Sequence, residues 1–154
     1  MPPRTNLKRV ESDWDWAAYH RIRKRVLWED RGLDGYDERH PDDRLAGNHP
    51  LLLMRDGTPI GTVRLDVAGP CLGIVRLVAI EPDQQRRGLG RILMREVETY
   101  AHRLGLEQLE VNAAKEAEGF YQSLGWTTVR SDRKNPLMTK ALNPGEIWPG
   151  GIPS

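Results

Sequence analysis

The segment Gln85-Arg86-Arg87-Gly88-Leu89-Gly90-Arg91 decides the fold, because it joins a predicted strand to a predicted helix. The apolar, β-branched run 73–80 before it is typical of a buried strand. The apolar residues of 92–100 recur at helical spacing and indicate a helix that ends near Gly105. A loop at such a junction offers backbone N–H groups at the positive end of a helix dipole, and its glycines let a ligand come close. With its arginines, the segment predicts an anion site suited to a pyrophosphate.

The same glycines also fit an ordinary tight turn with solvated arginines. The segment is not the Gly-x-Gly-x-x-Gly of dinucleotide-binding folds, because position 93 is leucine, and it lacks the Gly-Lys-Ser/Thr of a P-loop. It resembles the Gln/Arg-x-x-Gly-x-Gly/Ala signature of the GCN5-related N-acetyltransferases, the GNAT family. In that family this loop holds the pyrophosphate of acetyl-coenzyme A (acetyl-CoA).

A second segment, Phe120-Tyr121-Gln122-Ser123-Leu124-Gly125-Trp126, resembles another GNAT element, Phe-Tyr-x-x-x-Gly-Phe, on the helix after the fifth strand. Ala117 matches the small residue that the family carries four positions before the tyrosine. The two segments occur in the family's order and at its separation, so together they are far more specific than either alone. The resemblance covers residues 7–142, and the local sequence is most similar to the small bacterial ElaA-like acetyltransferases.

The predicted order of elements, β-α-β-β-β-α-β-α-β-β, implies an α/β fold with a mixed sheet and helices on both faces. The resemblance adds a mostly antiparallel sheet whose fourth and fifth strands, at 73–80 and 108–113, splay apart around the thioester arm. We expect a single acetyltransferase domain over 1–154, with a core of 7–142 and a Pro/Gly-rich tail at 143–154. The other predicted elements are a strand at 7–11, a helix at 13–28 capped by Ser12 or Asp13, a helical turn at 42–45, a hairpin turn at Asp56-Gly57, a helix at 115–124, and strands at 127–131 and 137–142.

Acyl transfer from a thioester to an amine needs a proton donor for the departing thiolate. The resemblance gives that role to Tyr121, whose phenol, with an ordinary pKa of about 10, can donate to a thiolate whose thiol titrates near about 8.5. The alternative is a helix tyrosine with its ring in the core and its hydroxyl bonded to a carbonyl.

The resemblance also assigns the coenzyme contacts. A backbone N–H near Val78 or Leu77 is expected to polarise the thioester carbonyl, because a splayed strand leaves such donors without a ladder partner. Asn112 is expected beside the pantetheine arm, or alternatively as a cap of the next helix. The expected coenzyme-binding residues are Leu77, Val78, Ile80, Gln85, Arg86, Arg87, Gly88, Leu89, Gly90, Arg91 and Asn112.

A general base is missing from its usual place in the family. The strand positions that carry Glu or His there fall on Ile74 and Arg76, and neither side chain accepts a proton near neutral pH. One alternative is deprotonation through water by one of several acidic residues, and another is an amine of low pKa, which needs no strong base. The candidates are Glu29, Asp34, Glu38, Glu81 and Glu110.

Arg76 puts a charge midway along an apolar strand, where burial without a partner would cost several kcal/mol. One hypothesis is a structural ion pair with an acidic neighbour such as Asp66. The other is a clamp on a substrate carboxylate, for which guanidinium geometry is well suited. Arg64 is expected to face solvent. Trp28 is expected either to pack the first helix or to line the substrate mouth.

The composition limits the classes of function. The formal net charge of +1, with 29% charged residues of interleaved sign, gives no bulk electrostatic case for binding nucleic acid or a membrane. A single cysteine excludes an intramolecular disulfide and a cysteine-based zinc site, and the scattered histidines indicate no metal site. With no signal-peptide pattern and no long apolar run, we expect a cytoplasmic protein.

We therefore expect an acetyl-CoA-dependent N-acetyltransferase that moves an acetyl group directly to a primary amine of a small molecule or peptide. The alternative is a catalytically silent acyl-CoA-binding module. Tyr121 argues against that module, whereas Ile74 and Arg76 argue for it. Neither nucleic acid nor a membrane is an expected partner, and a homodimer is common in the family.

Overall fold

The computed structural model of the protein describes residues 4–132 and 134–142. Its strands are β1 (Thr5–Arg9), β2 (Asn48–Arg55), β3 (Thr58–Val67), β4 (Leu72–Ile80), β5 (Gln108–Asn112), β6 (Thr127–Arg130) and β7 (Leu137–Ala141). Its α-helices are α1 (Asp13–Arg23), α2 (Leu89–Arg103) and α3 (Glu118–Ser123). Shorter helical turns occupy Lys24–Trp28, Glu29–Arg31, Pro41–Arg44, Pro82–Gln84 and Lys115–Ala117.

The strands form one sheet in the order β1-β2-β3-β4-β5-β7-β6. Strands β4 and β5 run parallel, while the other neighbouring pairs in the described residues are antiparallel. The parallel pair follows from its connection, because α2 carries the chain back along one face of the sheet. This topology confirms the predicted mixed, mostly antiparallel α/β fold.

Strand β2 explains why both faces of the sheet are covered. Its side chains alternate, so Leu51 and Leu53 join the core on the α2 side, while Leu52 and Met54 join the core on the α1 side. An apolar run of this kind is stable only between two layers. Among the described residues, no helix has both the length and the apolar content needed to cross a bilayer.

The hairpin turn between β2 and β3 lies at the predicted place. Asp56 and Gly57 take left-handed φ angles of 49° and 82°, as a tight two-residue hairpin requires. Strand β1 begins two residues earlier than predicted, since Thr5 already pairs with Arg55 of β2. The predicted tail at 143–154 lies outside the described residues.

Two predicted helices are shorter as α-helices than expected. The helix predicted at 13–28 is α-helical only to Arg23 and continues to Trp28 as a π-helical turn. Its cap is Ser12, which forms a capping box with Asp15. The helix predicted at 115–124 begins as a 3₁₀ turn before α3.

Candidate active site

Strands β4 and β5 separate partway along their length. Their pairing ends at Val75 and Val111, although β4 continues to Ile80. A cavity of about 730 Å³ opens in the gap, which confirms the predicted splay of the fourth and fifth strands. The residues that line it are Leu27, Trp28, Arg31, Leu33, Arg64, Val75, Arg76, Leu77, Val78, Val111, Asn112, Ala113, Ala114, Ala117, Phe120, Tyr121 and Asn135.

A β-bulge interrupts β4 beside the cavity. Between two regular pairs, a single β3 residue, Val63, stands opposite two β4 residues, Leu77 and Val78. Leu77 takes a left-handed φ of 54°, which is rare for a residue other than glycine. Both bulge residues line the cavity, and β5 pairs with neither of them. The predicted thioester contacts therefore lie where the sheet ladder is incomplete.

Tyr121 lines the cavity from α3, and the whole residue is only 6% exposed. Its ring packs edge-on against Phe120 and Trp126, with a centroid distance of 5.4 Å in each case. Burial raises the pKa of the phenol to about 12, so the hydroxyl is protonated at neutral pH. In the described part of the chain this hydroxyl makes no hydrogen bond, to a carbonyl or to any other group, and its oxygen is not fully buried. The proton is thus available to the cavity.

The loop 85–91 lies beyond the end of β4 and is mostly exposed. Gly88 is the N-cap of α2 and takes a φ of 74°, a conformation suited to glycine. The first backbone bond of the helix runs from the Ile92 N–H to the Gly88 carbonyl. Within the described residues, the amides of 86–91 make no backbone hydrogen bond, so they are open to an anion at the helix start.

Phe120 connects this loop to the cavity. None of the residues 85–91 lines the cavity, but a Cβ added at Gly90 would lie 3.3 Å from the Phe120 ring. The loop and α3 therefore touch, and a side chain at position 90 would push them apart. Phe120 therefore borders both the loop and the cavity.

The remaining predicted coenzyme contacts divide into two groups. Asn112 ends β5 and lines the cavity. The next helical turn has Ala114 at its N-cap and no side-chain cap, so the alternative that Asn112 caps this turn is wrong. Ile80 does not line the cavity; its side chain packs against the core. Its carbonyl accepts a hydrogen bond from Gln85 Nε2 at 2.9 Å, which ties the loop to the end of β4.

A network of ion pairs runs from α1 to the cavity. Asp66 accepts hydrogen bonds from Arg76 Nε at 2.9 Å and from Arg64 Nε and Nη2 at 2.8 and 3.1 Å. Asp43 accepts from Arg64 Nη1 at 3.0 Å and from Arg23 Nη1 at 2.8 Å. The ion pair of Arg76 with Asp66, one of the two hypotheses for this residue, is therefore present, and the substrate clamp stays a prediction.

The two β-strand arginines differ from expectation in their exposure. Arg64 was expected in solvent, but it is 5% exposed, because the alternation of β3 puts it on the face that α1 covers. Arg76 was expected to be a buried charge, but its side chain is 42% exposed and lines the cavity. Arg76 therefore both forms an ion pair with Asp66 and faces the cavity. Trp28, the other predicted substrate contact, also lines the cavity.

None of the candidate bases lines the cavity. Glu29, Asp34 and Glu38 are exposed in the segment that follows α1. Glu81 has one carboxylate oxygen buried without a hydrogen-bond partner in the described residues, while its other oxygen lies 3.7 Å from Arg25. The described lining contains no carboxylate and no imidazole.

The sequence did not predict several of the lining residues as site residues, among them Leu27, Arg31, Leu33, Arg64, Phe120 and Asn135. Phe120 had a usable signal, since it stands beside Tyr121 in the quoted motif. Arg64 had one too, because the spacing of Arg64 and Asp66 puts them on one face of a strand. The others come from turns whose position depends on packing.

The comparisons with known proteins agree with this geometry. A family model described as an acetyltransferase (GNAT) domain matches residues 36–136. The chain belongs to the GNAT acetyltransferase family. A Bacillus subtilis (strain 168) protein named "Putative acetyltransferase" is 27% identical over 128 residues, covering 82% of this GNAT chain and 86% of that protein. An acyl-CoA N-acyltransferase from Pseudomonas aeruginosa, 20% identical, matches the fold with a TM-score of 0.78 over 91% of this chain and 100% of its own.

A GNAT fold also implies the cosubstrate. N-acetylglutamate synthase from Neisseria gonorrhoeae, solved with coenzyme A and N-acetyl-glutamate, is 16% identical with a TM-score of 0.69, over 93% of this chain and 36% of its own. Proteins with the GNAT fold use acetyl-CoA as cosubstrate. The match to the family model confirms the predicted GNAT family, and the finer resemblance to ElaA-like members stays a prediction.

Proposed function

We propose that this protein transfers the acetyl group of acetyl-CoA directly to a primary amine of a small molecule or peptide. The observation that carries the proposal is the cavity between β4 and β5, with Tyr121 on one wall and an incomplete sheet ladder on the other. The open amides of 86–91 stand at one end of this arrangement. In this proposal one acetyl-CoA molecule extends from the loop to the cavity that Tyr121 lines.

The coenzyme is proposed to bind with its pyrophosphate at the loop 85–91. The backbone N–H groups and the side chains of Arg86, Arg87 and Arg91 supply the positive potential there. The pantetheine arm then passes Phe120 and enters the gap, where the backbone of Leu77 and Val78 lacks a β5 partner. The N–H groups of this bulge polarise the thioester carbonyl.

The transfer step requires two bond changes and two proton movements. The amine nitrogen bonds to the thioester carbonyl carbon, and the carbon–sulfur bond breaks with its electron pair going to sulfur. The thiolate takes the proton of the Tyr121 hydroxyl, and the amine proton passes to water. After the transfer, water returns a proton to the Tyr121 phenolate. Desolvation raises the pKa of Tyr121, so the hydroxyl is always protonated when the thiolate forms.

The amine is proposed to lose its proton without a strong protein base. The described lining offers three guanidinium groups, those of Arg31, Arg64 and Arg76, and no carboxylate or imidazole. Fixed positive charge disfavours a second cation in the same cavity and lowers the pKa of a bound ammonium group. Water can then accept the proton at the open mouth of the cavity.

The silent acyl-CoA-binding module is the second candidate, because the same lining lacks a base. Calorimetry with acetyl-CoA and thiol release over a panel of primary amines separate the two functions. Acetyl-CoA binding with thiol release supports the transferase, and acetyl-CoA binding without thiol release for any amine supports the silent module. Absence of acetyl-CoA binding would contradict both.

The role of Tyr121 is tested by Tyr121→Phe. Loss of a general acid lowers kcat by about 10²–10⁴-fold, while the Kd for acetyl-CoA changes little, since the ring remains. Tyr100→Phe is the matched control, because its hydroxyl bonds to His49 at 2.8 Å outside the cavity. Near-normal turnover of Tyr121→Phe would show that this phenol only packs.

We further propose that the protein is cytoplasmic and forms a homodimer. Light scattering coupled to size-exclusion chromatography tests the second, with a mass of one chain as the contradicting result.

A further inference from the structure

The lining of the cavity, to which the loop 85–91 contributes no residue, is positively charged. Arg31, Arg64 and Arg76 line it, and the described lining contains no acidic side chain. The ion pairs behind the cavity do not neutralise this charge. Three arginines (Arg23, Arg64 and Arg76) share two carboxylates (Asp43 and Asp66), so the network itself retains an excess of one positive charge.

These arginines differ in their remaining capacity to bind an anion. Arg64 uses Nε, Nη1 and Nη2 in bonds to Asp66 and Asp43, so it serves as a fixed internal cation. Arg76 bonds to Asp66 through Nε alone, and its two Nη groups make no hydrogen bond within the described residues. Arg31 has no ion pair in the same part of the chain. Arg76 and Arg31 therefore retain donors for a ligand.

The guanidinium of Arg76 is also preorganised. Asp66, itself held by the buried Arg64, fixes Nε and leaves the opposite edge of the fork directed away from that carboxylate. A guanidinium held in this way loses little side-chain entropy when it binds an anion. This is a built feature of the sheet, since Arg64 and Arg76 stand directly opposite each other on β3 and β4.

This charge is separate from the proposed pyrophosphate site. Arg76 lies four residues before Ile80, which at about 3.3 Å per residue is at most about 13 Å along the bulged strand, and the loop 85–91 begins beyond Ile80. The loop has its own arginines and open amides. The apolar residues Leu27, Trp28 and Leu33 line the same cavity as Arg31 and Arg76.

We propose that the acceptor is an amine that also carries an anionic group, a carboxylate or a phosphate, bound by Arg76 and Arg31. An apolar or aromatic portion of the same molecule packs against Leu27, Trp28 and Leu33. The inference rests on the proposed transferase function and adds the substrate class to it. The anion holds the molecule so that its amine points toward the thioester at the bulge in β4.

The test compares matched ligands that differ only in the anion. Calorimetry in the presence of coenzyme A measures the binding of phenylalanine against phenylalaninamide and of O-phosphoethanolamine against ethanolamine. Affinity is compared rather than rate, because amidation also changes the pKa of the amine. Each anionic member is expected to bind at least about tenfold more tightly than its neutral counterpart, the effect of one charge-assisted hydrogen bond or more. A preference confined to one pair identifies carboxylate or phosphate as the anion.

Arg76→Gln and Arg31→Gln are each expected to lower the affinity for the anionic member about tenfold or more, so that the preference is lost. The affinities for the neutral member and for coenzyme A stay unchanged. Arg76→Gln leaves Asp66 paired with Arg64, so the fold is retained, which a melting curve verifies. Arg21→Gln, an exposed arginine on α1 outside the cavity, is the matched control and keeps the full preference.

The inference and the proposed function fail in different ways. Equal affinity within both pairs, no binding of either anionic member, or an unchanged preference in both cavity variants would overturn the inference. Thiol release with neutral amines alone would overturn it too, while upholding the transferase. A clear anion preference that Arg76→Gln abolishes supports the inference, even where no amine releases thiol and the transferase itself is refuted.

Discussion

Replacement of Asp43 by alanine is expected to destabilise the protein strongly. Asp43 is 2% exposed and accepts hydrogen bonds from Arg23 at 2.8 Å and from Arg64 at 3.0 Å. Arg64 keeps Asp66 as a partner in the variant, so Arg23 is the charge that loses its carboxylate. Arg23 is itself 4% exposed and lies over the Tyr19 ring, so its guanidinium is shielded from bulk water.

The magnitude follows from this burial. Stranding one partner of a buried pair costs about 3–5 kcal/mol in the free energy of unfolding. In a domain of this size each kcal/mol shifts Tm by about 2–4 °C, so Asp43→Ala should lower Tm by about 6–20 °C. Asp42→Ala is the matched control, because the Asp42 side chain is 47% exposed and its only ion pair in the described residues is with exposed His40. That variant should melt within about 2 °C of the parent.

Calorimetric melting and urea titration measure both variants. Adding Arg23→Met to Asp43→Ala should recover a substantial part of the lost stability, since the stranded guanidinium is then gone. An Asp43→Ala protein that melts within about 2 °C of the parent would refute the argument, because burial without a partner would then carry no cost. A double variant less stable than Asp43→Ala would refute the assignment of the cost to Arg23.

Two further predictions concern the coenzyme loop and the pH dependence. Gly88→Ala should raise the Kd for acetyl-CoA about tenfold or more, because an alanine strained at a φ of 74° moves the open amides. Gly57→Ala is the matched control, since Gly57 has a φ of 82° and an added Cβ meets no atom within 4 Å at either position. It should lower the stability by a similar amount but leave this Kd unchanged. Equal Kd values for the two variants, measured by calorimetry, would place the coenzyme elsewhere. Because burial raises the pKa of Tyr121 to about 12, kcat/KM should rise as the acceptor amine loses its proton and then stay level to about pH 10. A falling limb below about pH 10 that disappears in Tyr121→Phe would contradict that pKa.

The fold could be predicted well because its signals are local. The apolar run of β4, the turn at Asp56-Gly57 and the helical spacing of α2 each depend on residues close together in the chain. Two short motifs, around Gly88 and Tyr121, then indicated the GNAT family and its cosubstrate. Element ends were less predictable: the π-helical turn after Arg23 leaves no distinct pattern in the sequence.

The charges of the cavity could be predicted only in part. The pairing of Arg76 with Asp66 was a hypothesis from the cost of burying a charge, and it is confirmed. The burial of Arg64 was predicted wrongly, because exposure in a strand depends on which face a helix covers. Arg31 and Leu33 line the cavity from the turns after α1, and nothing in their local sequence indicates that position.

The sequence by itself determined the order of elements and the positions of the glycine-containing loop and of the phenol, since periodicity, turn chemistry and short motifs act over a few residues. The tertiary structure decided where β4 and β5 part, which arginines face the gap, and that no base in the described residues faces it. These features depend on strand register and on the docking of α1 against β3 and β4. Contacts between residues far apart in the chain set both, and a single sequence does not display such contacts.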